Sequence, residues 1–137
     1  MRGYLIDNSV WSRVDRSAAV ATRVEQLLRT FAVYTTTPLI LERCYSGKDA
    51  ATFRALREEM DLLPRLDPDA EVSEIALSLQ ADLWAHKPRS AGAFDILIAA
   101  VAIRHGLTIV HYDADYEHLA EVSALGHEWV VARGSID

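Results

Sequence analysis

The segment AFDILIAAVAI, residues 93–103, restricts what this chain can fold into, because it places a single polar side chain among apolar ones. A helix that is apolar on every side is typical of the middle of a fold. A carboxylate buried there without a partner would cost several kcal/mol or would become protonated. Asp95 is therefore expected either at the rim of the fold, where it would cap the helix, or beside a positively charged partner.

Size and charge narrow the class of protein. The length of 137 residues suits a single domain, which we expect to span residues 1–137. Twenty acidic and fourteen basic side chains give a net charge of −6, which argues against bulk electrostatic attraction to nucleic acid. This charge still allows an enzyme that meets a phosphodiester through a bound cation and a few arginines.

The single cysteine and the lack of a long apolar run both bear on where in the cell the protein is expected. Cys44 is the single cysteine, so an intramolecular disulfide and a Cys/His zinc site are both excluded. No apolar run approaches the roughly 20 residues that span a bilayer, and no signal peptide is recognisable at the N-terminus. We therefore expect a cytoplasmic protein without a membrane partner.

Short β-branched or apolar runs alternate with segments of helical periodicity along the chain. Strands are predicted at residues 3–7, 31–36, 107–113 and 127–132. Helices are predicted at residues 17–30, 37–47, 49–62, 67–87, 93–105 and 114–125. Strands that alternate with helices form a parallel sheet that is covered on both faces. The expected fold class is therefore α/β, a sandwich of three layers, α/β/α, with a central parallel sheet.

Acidic side chains fall where such a sheet collects its ligand site, at the carboxyl ends of the strands. Asp7 ends the first strand, and Asp113 ends a later one with Asp115 close behind it. Asp95 begins the apolar helix, and Glu42 lies one turn into the helix that follows the second strand. These acidic groups are distant in sequence, yet we expect them to converge on one edge of the sheet.

Such convergence needs a compensating charge. Two carboxylates about 4 Å apart repel each other by about 4 kcal/mol at an effective dielectric constant near 20. A cluster of them would be partly protonated or would recruit a cation. Mg²⁺ and Mn²⁺ prefer oxygen ligands, and a cluster without His or Cys suits them better than it suits zinc. The sequence therefore predicts that the positive partner of Asp95 is one metal ion or two.

Three segments together resemble the motifs of a known family. LIDNSVW resembles the opening Asp-x-Ser motif of PIN-domain nucleases, and LERCYSG resembles the Glu-containing second motif. AFDILIAAVAIRHGLTIVHYDADYEHLA resembles the third and fourth motifs. The order, spacing and length are similar to those of VapC-type PIN-domain ribonuclease toxins from type II (VapBC) toxin–antitoxin systems. The resemblance covers essentially the whole chain, and it implies a PIN-like sandwich with four to five parallel strands.

The resemblance also assigns roles to the acidic side chains. It implies that catalysis depends on an acidic quartet, Asp7, Glu42, Asp95 and Asp113. It implies that Mg²⁺ or Mn²⁺ is held by carboxylates of Asp7, Asp95 and Asp113, with Asp115 assisting directly or through a water molecule.

Two polar residues, Ser9 and His111, lie close in sequence to members of the quartet. The resemblance implies that the Ser9 hydroxyl orients the segment around Asp7. His111 stands where many relatives have Thr, and its role is left open. The other histidines show no metal-ligand spacing and are expected to be surface or satisfied core residues: His86, His105, His118 and His127.

The implied activity is endonucleolytic cleavage of RNA, often tRNA or rRNA, by water that the metal activates. Attack by water in place of the ribose 2′-hydroxyl would leave 5′-phosphate and 3′-hydroxyl ends. The implied partners are an RNA substrate, a VapB-type antitoxin and a second copy of the chain in a homodimer. Apolar positions on the helix at residues 49–63 are expected to lie in the core or to contact the antitoxin and the second copy.

Other interpretations remain open at this stage. Each acidic residue alone has a structural explanation as a turn, cap or solvated residue. Asp7 would be the phosphoacceptor of an aspartyl-phosphate phosphatase or receiver-like domain, although such sites usually need a lysine at a strand end and neither Lys48 nor Lys87 is placed there. A non-catalytic binding module with the same fold is a further alternative.

Overall fold

A computed structural model describes residues 2–137, with four strands and seven α-helices among them. The strands are β1 (Gly3–Ile6), β2 (Ala32–Tyr34), β3 (Thr108–His111) and β4 (Gly126–Trp129). The helices are α1 (Asn8–Trp11), α2 (Ala18–Thr30), α3 (Thr37–Tyr45), α4 (Ala50–Asp61), α5 (Ala70–His86), α6 (Ala93–His105) and α7 (Asp115–Glu121). A single 3₁₀ turn, Val14–Arg16, joins α1 to α2.

The strands form one sheet in the order β2-β1-β3-β4, and every neighbouring pair is parallel. This confirms the predicted α/β class and its central parallel sheet. Because all strands run in the same direction, their carboxyl ends lie along a single edge. The register pairs Ile6 of β1 with Val110 of β3, so the residues that follow these two central strands emerge side by side.

Side chains alternate between the two faces of the sheet, and both faces are buried. Leu5 and Ile109 point into the larger core, which α3 to α7 cover. Ile6 and Val110 point into the smaller core beneath α1 and α2. Full burial of each aliphatic side chain contributes roughly 1.5 to 3 kcal/mol. The layers are therefore the α/β/α sandwich that the sequence pattern predicts.

Helix α6 is apolar on every side because it has neighbours on several sides: α3, α5, α7 and β3. Its residues from Ala99 to Ala102 are fully buried. Asp95 is the third residue of this helix, at the end that faces the carboxyl edge of the sheet. The helix ends at Gly106, whose φ of 65° is in the left-handed region that favours glycine. Burial of the helix body is thus compatible with a carboxylate at its first turn.

Three of the predicted helices begin after a side-chain cap, and the predicted helix starts near residues 17 and 49 are confirmed. The side chains of Ser17, Asp49 and Asp69 each accept a hydrogen bond from a backbone N–H in the first turn of the helix that follows. In α4 the apolar stripe is only partly buried, with Met60 in the core and Phe53 47% exposed. The exposed part of that stripe is available to another molecule.

Several details differ from the sequence-based expectation, among them the start of α5, which is predicted at residue 67 and lies at Ala70. Helix α1 was not predicted, because four residues are too few to show a helical period; the Asp7 side chain caps it. Helix α7 ends at Glu121, four residues before the predicted end, and β4 begins and ends earlier than predicted. Within residues 2–137, no helix has the length and apolar character that crossing a bilayer requires.

Candidate active site

Asp7 and Asp113 leave the two central strands next to each other. The Asp7 backbone N–H donates a hydrogen bond to the Val110 carbonyl at 2.9 Å, which extends the pairing of β1 and β3 by one residue. Asp7 is 4% exposed, although it lies at the rim of the sheet. Asp113 follows β3 by two residues and begins the turn into α7. The parallel pairing of the strands thus brings two carboxylates to one place.

Helices supply the other acidic side chains. Asp95 lies in the first turn of α6, and Glu42 lies in α3, which packs against α6. Asp115 is the first residue of α7. The two sets of carboxylates that come close together are Asp7, Glu42 and Asp95 in one and Asp95, Asp113 and Asp115 in the other.

The distances within these sets are short. In each set, one oxygen from every carboxylate lies within 4.8 Å of an oxygen from the other two. Asp95 belongs to both sets and therefore lies at the centre of the cluster. The structure brings together all five acidic residues that the sequence singled out, and it leaves none of them elsewhere.

The cluster alters the acidity of its members. Burial, together with the charges of Asp7, Asp113 and other carboxylates, raises the pKa of Asp95 to about 7. Burial and the charges of Asp7 and Asp113 likewise raise the pKa of Glu42 to about 7. The pKa of Asp115 is raised as well, mainly by burial and then by Asp113. The shifts have the same two causes, since burial and the neighbouring negative charges both disfavour the ionised carboxylates.

No salt bridge relieves this repulsion within the part of the chain that the structure describes, although the nearby His118 ring lowers the pKa of Asp115 slightly against the larger effects of burial and Asp113. Among residues 2–137, every ion pair joins other acidic side chains, and none includes a member of the cluster. The Glu42 Oε1 atom is buried and finds no hydrogen-bond partner among the same residues. A set of oxygen donors with an unpartnered buried carboxylate oxygen fits a hard divalent cation such as Mg²⁺ or Mn²⁺.

The structural explanations for single residues are partly correct, and they do not account for the whole site. Asp7 caps α1, because its Oδ2 accepts the Ser9 N–H at 3.0 Å. Asp113 forms an Asx turn, because its Oδ1 accepts the Asp115 N–H at 3.0 Å. Each contact occupies one carboxylate oxygen. Capping therefore orients these side chains, and each carboxylate keeps oxygen lone pairs that its cap does not use.

Ser9 connects the segments that follow the two central strands. Its backbone N–H holds Asp7, and its Oγ accepts the Tyr112 N–H at 2.9 Å. The side chain thus ties the segment after β1 to the segment after β3, on either side of the cluster. This geometry agrees with the orienting role that the resemblance implied for Ser9.

Tyr116 is the site residue that sequence reasoning missed. Its side chain is fully buried, and its hydroxyl lies 2.7 Å from Asp7 Oδ1 and 3.3 Å from Asp95 Oδ1. Burial, followed by the charges of Asp7 and Asp95, raises the pKa of this phenol well above 10, so the hydroxyl remains a donor. A tyrosine beside an apolar helix stripe carries no signal of this contact, which depends on residues from three separate elements.

The Tyr116→Phe variant isolates that hydroxyl. We expect it to lower the free energy of unfolding by about 1.5 to 3 kcal/mol, because a hydrogen bond to a carboxylate is lost while the ring still fills its place. Urea unfolding at neutral pH measures the change. Tyr45→Phe is the matched control, because Tyr45 is 91% exposed. Equal stability of the two variants would show that the Tyr116 hydroxyl does not hold the cluster together.

The amino-acid sequence is similar to those of known proteins. Residues 4–122 match the family model described as PIN domain. Ribonuclease VapC51 of Mycobacterium tuberculosis is 35% identical over 134 residues, which cover 98% of this chain and 97% of that protein. Ribonuclease VapC18 of the same organism is 32% identical over 137 residues, which cover 97% of this chain and 98% of that protein.

Solved structures extend the comparison to the fold. DNA-bound VapBC from Salmonella typhimurium contains a chain that superposes with a TM-score of 0.76 at 17% identity, covering 96% of this chain and 100% of that one. VapBC2 from Rickettsia felis, bound to a promoter DNA fragment, gives a TM-score of 0.74 at 17% identity. The family match and the full-length relatives lead to one conclusion: the chain belongs to the VapC group of the PIN-domain family.

Proposed function

We propose that the protein is an endoribonuclease toxin that requires Mg²⁺ or Mn²⁺ and that a VapB-type antitoxin neutralises. The observation that carries the proposal is the cluster of five carboxylates, none of which forms a salt bridge among residues 2–137, and one of which, Glu42, has a buried oxygen without a hydrogen-bond partner. The relatives are named ribonucleases, and this supports RNA as the substrate class. Transfer RNA and ribosomal RNA remain the predicted targets.

Each carboxylate has a part in the proposed mechanism. Asp7, Asp95, Asp113 and Asp115 would hold the cation, and one carboxylate oxygen of Glu42 lies within 4.8 Å of oxygens from Asp7 and Asp95. A divalent cation bound there supplies positive charge that acidifies water and stabilises the oxyanions of a phosphodiester under attack. The Ser9 N–H and the Tyr116 hydroxyl fix the orientation of Asp7, so that the site is formed before substrate arrives.

The products of hydrolysis test this proposal. Oxygen from water becomes bonded to phosphorus, the bond from phosphorus to the ribose 3′ oxygen breaks, and that oxygen leaves as a hydroxyl. We therefore expect purified protein to cut RNA only with Mg²⁺ or Mn²⁺ present and to leave 5′-phosphate and 3′-hydroxyl ends. End-labelling of the fragments, with EDTA as the control, measures both. Products with 2′,3′-cyclic phosphates would contradict attack by water.

A groove between α3 and α4 supports the antitoxin as a partner. It has a volume of about 310 Å³ and is lined mainly by apolar side chains, Ile40, Leu41, Cys44, Tyr45 and Phe53, together with Arg57. Leu41 and Tyr45 are 56% and 91% exposed, so this face of α3 is left uncovered by the chain itself. We propose that an apolar segment of the antitoxin covers it. The homodimer is likewise part of the proposal, and sedimentation of the purified protein measures it.

Two alternative functions receive less support from the geometry. An aspartyl-phosphate enzyme needs an accessible nucleophile and a nearby lysine, yet Asp7 is 4% exposed and both of its oxygens accept hydrogen bonds. Lys48 and Lys87 are exposed. A non-catalytic binding module would have no need of a charge cluster that is unfavourable in the absence of a cation. Binding of RNA without cleavage in the end-labelling experiment would favour that module.

A further inference from the structure

His111 is a buried histidine behind the carboxylate cluster, and the proposed mechanism does not use it. It is the last residue of β3, two residues before Asp113, and its side chain is inaccessible to solvent. Its ring lies among three others, with centroid distances of 5.1 Å to Tyr116, 5.1 Å to His127 and 4.9 Å to Trp129. The His111 ring is therefore packed on several sides, which fixes its orientation and the positions of its two nitrogens.

Both nitrogens of His111 have hydrogen-bond partners. Nδ1 lies 3.1 Å from the backbone nitrogen of Asp113, and Nε2 lies 2.8 Å from Nδ1 of His127. A backbone N–H can only donate, so Nδ1 of His111 must be the unprotonated acceptor. Nε2 of His111 must then carry the proton and donate it to His127. The Asp113 N–H thus determines the direction of both hydrogen bonds: Asp113 donates to His111, and His111 donates to His127.

This acceptor completes the anchoring of the segment that carries Asp113. Three backbone N–H groups of that segment each donate to a side chain: Tyr112 to Ser9 Oγ, Asp113 to His111 Nδ1 and Asp115 to Asp113 Oδ1. Of these acceptors, only the His111 nitrogen holds the backbone of Asp113 itself. Without this acceptor, the partly buried Asp113 N–H would lose its partner, and the turn would be free to rearrange to regain one.

We infer that His111 is a positioning residue for Asp113, and that His127 maintains it in the required tautomer. The His111 side chain is inaccessible to solvent and belongs to neither set of neighbouring carboxylates, so it would act through the backbone of Asp113. The effect on catalysis rests on the proposed nuclease function, whereas the effect on the geometry of the turn does not. The competing explanation is that His111 only fills space between Tyr116 and Trp129.

A pair of variants of similar size separates these explanations. In His111→Asn, the amide oxygen occupies the place of Nδ1 and can accept the Asp113 N–H. His111→Leu is comparable in volume and offers no acceptor. We expect His111→Leu to weaken Mn²⁺ binding by roughly 10-fold to 100-fold, as loss of a group that orients a metal ligand does, and His111→Asn to recover most of that loss. Isothermal titration calorimetry measures the affinities.

Kinetics and a control variant complete the design. On RNA, we expect His111→Leu to lower kcat while KM stays near its original value, because Asp113 is displaced and the RNA-binding surface is not. His105→Leu, at the exposed end of α6, is the control for loss of a histidine. Equal Mn²⁺ affinity and kcat in the Asn and Leu variants would overturn the proposal in favour of space filling.

Nitrogen-15 NMR tests the hydrogen-bond direction without metal or RNA. We expect His111 in the intact protein to show a protonated Nε2 and an unprotonated Nδ1. A spectrum with the proton on Nδ1 would overturn the proposal, because that nitrogen could no longer accept from Asp113. If this tautomer and the Asn/Leu difference in Mn²⁺ affinity are found but no RNA is cut, the positioning role stands and the nuclease function fails.

Discussion

Asp95→Asn should abolish RNA cleavage, remove the response of the melting temperature to Mn²⁺ and make the metal-free protein more stable. Asp95 belongs to both sets of neighbouring carboxylates, so its negative charge lies close to the charges of all four other members of the cluster. A bound cation stabilises the charge of the transition state by several kcal/mol. Loss of the cation should therefore lower the rate of RNA cleavage by about 10³-fold or more.

The gain in apo stability has a separate cause. Asn has nearly the shape of Asp and can still accept the Tyr116 hydroxyl, whereas it adds no charge to the cluster. We expect the free energy of unfolding without metal to rise by on the order of 2 kcal/mol, because repulsion from Asp7, Asp113 and Glu42 is relieved. Thermal melts with and without Mn²⁺ measure both effects in one experiment.

Asp82→Asn is the control for this experiment, since Asp82 is exposed on α5 and has no place in the cluster. We expect its melting temperature and its response to Mn²⁺ to match those of the unmodified protein. If Asp95→Asn also behaved in that way, the carboxylate cluster would not be the metal site.

The stability difference between the unmodified protein and Asp95→Asn should depend on pH. The folded protein holds the pKa of Asp95 at about 7, against a usual value of 3.8, so protonated Asp95 is favoured by folding. The stability from this group is fully present below pH 3.8 and is lost as pH rises through 7. Between pH 5 and pH 8, we expect the unmodified protein to lose on the order of 3 kcal/mol relative to the variant.

The comparison with the variant is needed because His111 acts in the opposite direction. Burial and the charge of His127 lower the pKa of His111 to about 3, so its contribution to stability is lost as pH falls below 6.5. That contribution is the same in both proteins and cancels in the difference. Urea unfolding at four pH values from 5 to 8 gives the required free energies.

Saturating Mn²⁺ should reverse the sign of that difference at pH 8, because the cation binds ionised carboxylates and stabilises only the protein that retains Asp95. A difference that is independent of pH would mean that Asp95 does not share a crowded site. A difference that varies with pH but not with Mn²⁺ would mean that the cluster is crowded and binds no metal.

The acidic residues of the site could be predicted from the sequence because the fold follows from simple patterns. Parallel strands place their carboxyl ends at one edge, so Asp7 and Asp113 were expected at the same edge once β1 and β3 were recognised. The pairing of β1 with β3, which the structure shows, makes them neighbours. Asp95 stood out because it interrupts an apolar helix. Glu42 was harder to place, since a helical carboxylate usually faces solvent, and its partial burial depends on how α3 packs against α6.

Contacts that join distant elements could not be predicted. The Tyr116 hydroxyl reaches Asp7 across 109 positions of the chain, and His127 reaches His111 from β4. Such contacts depend on rotamers and on the spacing between layers, for which residue patterns carry no signal. The sequence predicts only that His127 is a surface or satisfied core residue, and it does not predict the hydrogen bond between His127 and His111.

Diffraction from crystals soaked in Mn²⁺, recorded where manganese scatters anomalously, tests the central claim most directly. We expect an anomalous peak bonded to a carboxylate oxygen of Asp95 and to at least one of Asp7 and Asp113. A peak located away from these side chains, or no peak at a Mn²⁺ concentration that supports RNA cleavage, would contradict the claim that a divalent ion resolves the repulsion within this cluster.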